Sequence, residues 1–93
     1  MHEQQEYFTT RPDVRFRIIG GEGVIIRQDA GQAIVVNEIG ARILTLLRDG
    51  LATAEIIERL GDEYEIGDAE IEEHVADYLS ALRSAGVIDP VPA

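Results

Sequence analysis

Few residues in this 93-residue chain have the types and spacing that catalysis requires. A serine nucleophile needs a base within hydrogen-bond reach, and the serines Ser80 and Ser84 have only His74 nearby in the sequence. The six positions between His74 and Ser80 place them on different sides of a helix, so they do not form a dyad. The absence of cysteine excludes thiolate chemistry, disulfides and iron–sulfur clusters.

The carboxylates are abundant but also lack a catalytic arrangement. Pairs such as Glu72-Glu73 have the spacing of a solvated helix surface, without an apolar pocket that would separate their pKa values. Glu70, His74 and Asp77 share one helix face and have ligand types suited to a divalent ion, but a surface histidine flanked by acids is far commoner than a metal site. We therefore predict no enzymatic activity, no catalytic residue, no metal and no cofactor.

The charge balance argues against nucleic acid as a partner. The chain has 18 acidic residues and 8 basic ones, with a formal net charge of −10, whereas a nucleic-acid surface needs a basic face. The first ten residues, MHEQQEYFTT, lack the features of a secretory signal, and no apolar run reaches membrane-spanning length. We expect a cytoplasmic protein that binds neither nucleic acid nor membrane.

The first half of the chain predicts three β-strands. Alternating apolar residues and arginines at 14–19 indicate a half-buried strand, and further strands are predicted at 24–27 and 32–36. The turns between them are predicted at 20–23 and 29–31. Connections this short favour an antiparallel meander with the first and third strands at its edges.

The second half predicts three helices separated by glycines. Their predicted caps and last residues are, in order, Asn37 and Gly50, Thr53 and Gly61, and Asp68 and Gly86. The third helix has one apolar stripe, formed by Ile71, Val75, Tyr78, Leu79 and Leu82. The predicted fold is a single α+β domain over residues 1–93, similar to a winged helix-turn-helix. Residues 1–12 and 89–93 are expected to be flexible ends, and Val87-Ile88 to fold back onto the core.

The third predicted strand differs from the other two because it has no charge. Arg15, Arg17 and Arg27 lie in the first two strands, and charge on an edge strand discourages pairing with other chains. Residues 33–36 are all apolar, which makes an uncovered edge prone to association. Three explanations remain open: the strand is central, it pairs with itself across a dimer, or it accepts an extended peptide.

The sequence also resembles a known family. The run VNEIGARILTLLRDGLATAEIIERLGDEY, followed by VADYLSALRSAGVI, resembles the PqqD-like family, also called RiPP recognition elements. The resemblance extends over roughly residues 11–88. It is based on Asn37 directly after a strand, the Asp49-Gly50 pair, Thr53 with Glu55-Ile56, and the closing Gly86-Val-Ile.

The resemblance implies a non-catalytic, chaperone-like protein of natural-product biosynthesis, as in lasso-peptide or pyrroloquinoline-quinone pathways. Such a protein binds the leader of a ribosomally made precursor peptide as an added strand, in a cleft between the third strand and the third helix. It then delivers the precursor to a leader peptidase, a cyclase or a radical SAM enzyme.

The peptide-binding residues that the resemblance implies are Gln32, Ala33, Ile34, Val35, Val36, Ile71, His74, Val75, Tyr78 and Leu82. Either Ile34 with Val36 or Ala33 with Val35 faces the cleft, and ordinary core packing is the alternative role for the helix residues. Two other functions remain possible, a winged-helix regulator that binds DNA and a scaffold that dimerises through the third strand.

Overall fold

The structure is a computed structural model that describes residues 6–92. This part of the chain has five strands and three helices: β1 (Phe8–Thr10), β2 (Val14–Ile19), β3 (Glu22–Arg27), β4 (Gln32–Val36), α1 (Glu38–Arg48), α2 (Thr53–Tyr64), α3 (Asp68–Ser84) and β5 (Ile88–Pro90). Strands β2, β3 and β4 form an antiparallel sheet in that order. The predicted α+β fold is confirmed, and β4 is an edge strand of this sheet, as the predicted meander requires. The alternative explanation that the uncharged strand is central is therefore excluded.

The core lies between the inner face of this sheet and the three helices. Most of its fully or almost fully buried members come from β3 and from the apolar stripe of each helix: Ile25, Ile43, Leu44, Leu46, Leu47, Ile56, Leu60, Ile71, Val75, Leu79 and Leu82. Helix α3 shows the predicted stripe, with Tyr78 half-buried at its margin. Val87 and Ile88 are buried, as predicted.

Helix α1 begins and ends as the sequence predicts. The Asn37 side chain accepts a hydrogen bond from the Gly40 N–H at 3.0 Å, which satisfies one of the free donors at the helix start. At the other end Gly50 has a φ of 96°, the left-handed conformation that glycine adopts without strain. The Asn37 cap fixes the point at which the chain leaves β4 and enters α1.

The predicted caps of the other two helices are wrong by one residue. Helix α2 is capped by Ala52, whose backbone N–H donates to the Glu55 carboxylate at 2.8 Å, and Thr53 is the first helical residue. Gly67 precedes α3, and Asp68 lies in its first turn. An acidic residue in the first turn is stabilised by the helix dipole without being the cap, so sequence alone does not separate the two positions.

Helix α2 also continues past its predicted end at Gly61. It runs to Tyr64, and Glu65 takes the left-handed conformation with a φ of 53°. The Gly61 carbonyl accepts hydrogen bonds from the Glu65 and Ile66 N–H groups, which closes the helix one turn later. A glycine inside a helix costs only about 1 kcal/mol relative to alanine, so it does not have to end one.

A second, two-stranded sheet lies in regions where the sequence predicts only chain ends. Strand β1 pairs with β5 in an antiparallel register, and Arg11 lies 3.7 Å from Asp89 beside it. The Glu6 carbonyl accepts from the Thr53 N–H at 2.8 Å. Strands of three residues are too short to show an alternation that sequence patterns detect. Residues 1–5 and 93, which also belong to the predicted flexible ends, lie outside the described residues.

Candidate functional site at the free edge of β4

The hydrogen-bond register of the sheet follows from its first hairpin. Gly20 and Gly21 have φ values of 59° and 85°, and a two-residue type I′ turn requires positive φ at both positions. Such a turn joins a hydrogen-bonded pair, here Ile19 and Glu22. Hydrogen-bonded and non-hydrogen-bonded pairs alternate along antiparallel strands. In β3 the backbone groups of residues 22, 24 and 26 therefore point towards β2. Those of residues 23, 25 and 27 therefore face β4.

The second hairpin then determines which backbone groups of β4 are free. The Gln28 N–H donates to the Asp13 carbonyl at 3.0 Å, which agrees with the register derived from the turn. Residues 32, 34 and 36 of β4 lie opposite residues 27, 25 and 23, so their backbone groups bond to β3. The N–H and C=O groups of Ala33 and Val35 point away from the sheet. Within residues 6–92 no strand pairs with them, and they form what is called the free edge below.

The side chains of β4 alternate between two faces. Val36 is buried and Ile34 half-buried, and both face the helices. Ala33 and Val35 face the opposite side, where the Val35 side chain is 64% exposed. This settles which pair lines the helix side of β4, a choice that the sequence left open: it is Ile34 with Val36.

Two contacts relate α3 and the residues after it to the two ends of β4. The Tyr78 hydroxyl donates a hydrogen bond to Asn37 Oδ1, directly after the last residue of β4. Eight positions later in the chain, just after the C-cap of α3, Gly86 lies against the Arg27 guanidinium, beside the first residue of β4. Residues 78–86 at about 1.5 Å each and residues 32–36 at about 3.3 Å each both span about 12–13 Å. The two elements therefore run antiparallel along matched lengths.

The space between these elements is called the β4–α3 cleft below. We define its two sides by position: Gln32, Ile34 and Val36 lie on the helix-facing side of β4, and Tyr78, Ala81 and Ala85 lie opposite them, on α3 and its C-cap. The last three share one flank of the helix because they recur at three and four positions. Ala81 is exposed and Ala85 is only partly buried. Alanine methyl groups leave room along the wall of the cleft that a larger side chain would fill.

The other α3 residues implicated by the sequence lie at different depths. Ile71, Val75 and Leu82 are at most 3% exposed and belong to the core. They support the cleft from below, and a direct contact with a peptide would require the cleft to open. His74 is exposed, with Nε2 3.7 Å from the Glu70 carboxylate. Contacts of these four residues with a peptide remain predictions.

Several residues of the cleft were missed at the sequence level. Asn37 was recognised as a cap, but not as the partner of Tyr78. Arg27 was recognised only as a charge within a strand. The small residues Ala81 and Ala85 give a usable signal, since they follow Tyr78 at three and seven positions on one helix flank. The partners of Tyr78 and Arg27 are distant in sequence and have no such signal.

A second exposed surface lies on the side of the sheet that faces away from the helices. This outer face consists of apolar side chains from all three strands with two arginines on β2: Arg15, Arg17, Ile19, Val24, Ile26 and Val35. A concavity of about 400 Å³ lies on it, lined by residues of β2 and β3. Other surface concavities, of about 380 and 600 Å³, lie on the opposite flank of α3 from the cleft, against α2.

The shifted pKa values belong to a contact between α1 and α2. Arg42 donates to both Glu63 oxygens at 3.0 and 2.6 Å. This hydrogen bonding lowers the pKa of Glu63 and raises that of Arg42. Burial, together with a hydrogen bond to Glu38, raises the pKa of Tyr64. These groups stabilise helix packing and lie outside the cleft.

Residues 6–92 contain no group of three or more histidine, aspartate or glutamate side chains placed to hold a metal ion. Over the same residues, no helix is long and apolar enough to cross a membrane.

Comparisons with known proteins agree with this fold. Residues 22–88 match a family model described as coenzyme PQQ synthesis protein D (PqqD). The solved structure of TbiB1 in complex with the TbiA(beta) leader peptide has a TM-score of 0.84 and 24% identity, covering 91% of this chain and 99% of that chain. Lasso peptide synthetase B1 complexed with the leader peptide has a TM-score of 0.80 and 25% identity, covering 91% and 98%. A comparison with curated protein sequences gave no match.

Proposed function

The chain belongs to the PqqD family, whose model matches residues 22–88, and on this basis we propose that it binds the leader of a ribosomally made precursor peptide. Both structural neighbours were solved with a leader peptide bound. The observation that carries the proposal is the free edge of β4, where uncharged residues present unpaired main-chain groups beside an apolar cleft. In the proposed complex the leader adds to this edge as a strand.

The register assigns roles to both strands of the proposed complex. The N–H and C=O groups of Ala33 and Val35 pair with main-chain groups of the leader. Every second leader side chain then lies next to Ile34 and Val36, inside the β4–α3 cleft. Tyr78 borders the cleft at its Asn37 end, and His74 lies further out on the same flank of α3. The bound strand hides the edge, and the protein itself supplies no chemical step.

Amide hydrogen exchange tests this pairing residue by residue. We would titrate the protein with the synthetic leader of the precursor encoded beside its gene, and with a scrambled leader as the control. Binding should slow exchange at the Ala33 and Val35 amides, because only these gain a partner. The amides of Gln32, Ile34 and Val36 already bond to β3 and should change little. Absence of binding, or unchanged Ala33 and Val35 amides in the bound state, would overturn the proposal.

A complementary test modifies the peptide and leaves the protein unchanged. N-methylation removes one main-chain donor at a time, and only every second leader residue directs its N–H towards β4. Affinity should therefore fall at alternate methylated positions and remain nearly constant at the others. A uniform loss at all positions, or none, would contradict strand addition.

The proposed delivery of the leader to a modifying enzyme requires a second surface, and the outer face is suited to it. Its exposed apolar residues include Ile19 and Val35, at 59% and 64% exposure. Arg15 and Arg17 add positive charge in an otherwise acidic protein. The complementary partner is a leader peptidase, cyclase or radical SAM enzyme that presents carboxylates around an apolar contact.

Substitutions on the outer face should separate delivery from leader binding. The double variant Ile19→Glu with Arg17→Glu should leave leader affinity unchanged and abolish co-purification with the pathway enzyme. Full retention of the enzyme by this variant would place the enzyme contact elsewhere on the protein.

The free edge has a second possible occupant, another copy of this chain. Sedimentation without peptide would reveal a dimer paired through β4, and added leader should dissociate it because both compete for the same main-chain groups. Duplex DNA is the negative control for all of these measurements, since the helices carry more acidic than basic residues.

A further inference from the structure

We propose that Arg27 makes the Gln32 end of the β4–α3 cleft a subsite for a carboxylate side chain of the bound peptide. This inference rests on the proposed function and specifies the peptide class further. It assigns one acidic residue, at the position opposite Gln32, to peptides that bind this protein.

Arg27 is held at the end of the cleft by close contact with the chain after α3. A Cβ atom on Gly86 would lie 2.9 Å from Cζ of Arg27 and 3.1 Å from its Nη2. Gly86 also has a φ of 79°, which favours glycine. The absence of a side chain at Gly86 therefore leaves the space that the guanidinium occupies. The Arg27 side chain is partly buried there, on the inner face of β3.

The guanidinium keeps donors that the described chain does not use. Its Nη1 donates to Gln32 Oε1 at 3.3 Å, and its buried Nε has no hydrogen-bond partner among the described residues. Within residues 6–92, Arg11 and Arg42 each pair with a carboxylate, whereas no carboxylate lies within ion-pair distance of Arg27. A partly buried cation without a counter-ion is unfavourable. A ligand carboxylate would supply charge-assisted hydrogen bonds.

The register places a peptide side chain within reach of this group. Arg27 and Gln32 are opposite each other on β3 and β4, and an added strand continues the same row about 4.8 Å beyond β4. The peptide residue opposite Gln32 therefore has its side chain on the same face. Because Gln32 Oε1 accepts from Arg27, the amide NH₂ of Gln32 remains free to donate. A glutamate has the length to meet both donors.

A selection from a random peptide library tests the subsite without knowledge of the natural leader. The random segment is flanked by constant sequence at both ends, so that only side chains supply carboxylates. The wild-type protein should enrich aspartate or glutamate at one fixed position of the bound strand. Arg27→Glu should replace this preference with lysine or arginine. Arg17→Glu makes the same charge change on the outer face and should keep the wild-type preference.

A double-mutant cycle measures the contact directly. For a selected peptide, replacing the acid by glutamine should weaken binding to the wild type about tenfold. The same replacement should have little effect on binding to Arg27→Met, which keeps the aliphatic packing against Gly86. Circular dichroism checks that both variants fold, and Arg27→Met serves as the test if Arg27→Glu does not fold.

The outcomes distinguish this inference from the proposed function. Peptides that protect the Ala33 and Val35 amides but have no acid preference would overturn the subsite alone. The same acid preference with Arg27→Glu would also overturn it. A library that yields no binder, or only binders that leave these amides unprotected, would contradict strand addition itself, and the subsite with it.

Discussion

The two edges of the three-stranded sheet are alike in length but differ in what surrounds them. On β2, Arg15 and Arg17 alternate with apolar residues, whereas residues 33–36 of β4 have no charge. On the inner side of β2, the Arg48 guanidinium lies 5.3 Å from the centre of the Phe16 ring. On the side of β4 lie the small residues Ala81 of α3 and Ala85 at its C-cap. One edge is therefore protected by charge and partly covered, and the other is left accessible.

The outward-facing backbone groups of the two edges also differ. The alternation that leaves Ala33 and Val35 free on β4 directs the backbone groups of residues 14, 16 and 18 of β2 outwards. On β2 the Val14 N–H has a partner within the chain, because it donates to the Arg11 carbonyl at 3.0 Å. Charge and local hydrogen bonds are common protections of exposed edges, and their presence on β2 alone supports β4 as the edge that binds the proposed leader.

Proline at matched positions gives the largest expected contrast between the edges. Val35 on β4 and Ile18 on β2 are both exposed aliphatic residues, at 64% and 54%, and both direct their N–H groups outwards. Val35→Pro removes a donor and leaves a peptide carbonyl unpaired, at a cost of about 1–3 kcal/mol. We expect leader affinity to fall at least about tenfold. Ile18→Pro should keep the wild-type affinity by calorimetry. An equal loss of leader affinity in both variants would contradict the inference that only the β4 edge binds the leader.

The position of β4 and its lack of charge were predictable from the sequence, because the residues that indicate them are neighbours in the chain. The absence of charge in residues 33–36 and the Asn37 cap both lie within a few positions of the strand. The face that β4 turns to the cleft was not predictable, because Ala33 with Val35 is as apolar as Ile34 with Val36. A polar residue at every second position normally identifies the solvent-exposed face of a strand, and residues 33–36 contain none.

The contacts that build the cleft were not predictable either. Tyr78 and Asn37 are 41 positions apart, and Arg27 meets Gly86 at a still greater separation. The α3 stripe identified Tyr78 as apolar and core-facing, but only the fold shows that its hydroxyl reaches the end of β4. Sequence patterns report periodicity within one element and do not report which elements meet.

Two helical glycines offer the next contrast, close to the cleft and far from it. A Cβ on Gly40 would lie 2.7 Å from Tyr78 Cε1 and 2.9 Å from Val36 Cβ, whereas one on Gly61 would meet its nearest neighbours at 3.6 Å. Gly40→Ala should lower the free energy of unfolding by about 1–3 kcal/mol through overpacking, and should separate Tyr78 from Asn37. Gly61→Ala should raise it by up to about 1 kcal/mol through helix propensity. Urea unfolding measures both, and a stabilised Gly40→Ala would mean that α3 is not tightly held against β4.

Removing the Arg48 contact that covers part of β2 should have a smaller effect on stability and leave leader binding unchanged. Arg48→Met keeps the aliphatic packing and removes the contact with Phe16, which contributes about 0.5–1 kcal/mol. Arg59→Met, on exposed α2 surface, makes the same change in net charge as a control. We expect a modest loss of stability in Arg48→Met only, with unchanged leader affinity in both variants. Weaker leader binding by Arg48→Met alone would show that the covered edge also contributes to recognition.

The smallest expected effect lies at the Arg42–Glu63 contact, which belongs to neither edge. Hydrogen bonding to Arg42 holds the pKa of Glu63 below its ordinary value of 4.5. The unfolded chain therefore takes up a proton first as the pH falls, so the stabilisation is complete at neutral pH and is lost below about 4.5. Both side chains are 33% exposed, which limits the contribution to below about 1 kcal/mol. Glu63→Gln should be less stable than Glu58→Gln, its charge-matched control on α2, at pH 7 and nearly equal to it at pH 3. A difference between the two variants that persists at pH 3 would assign the effect to packing rather than to the ion pair.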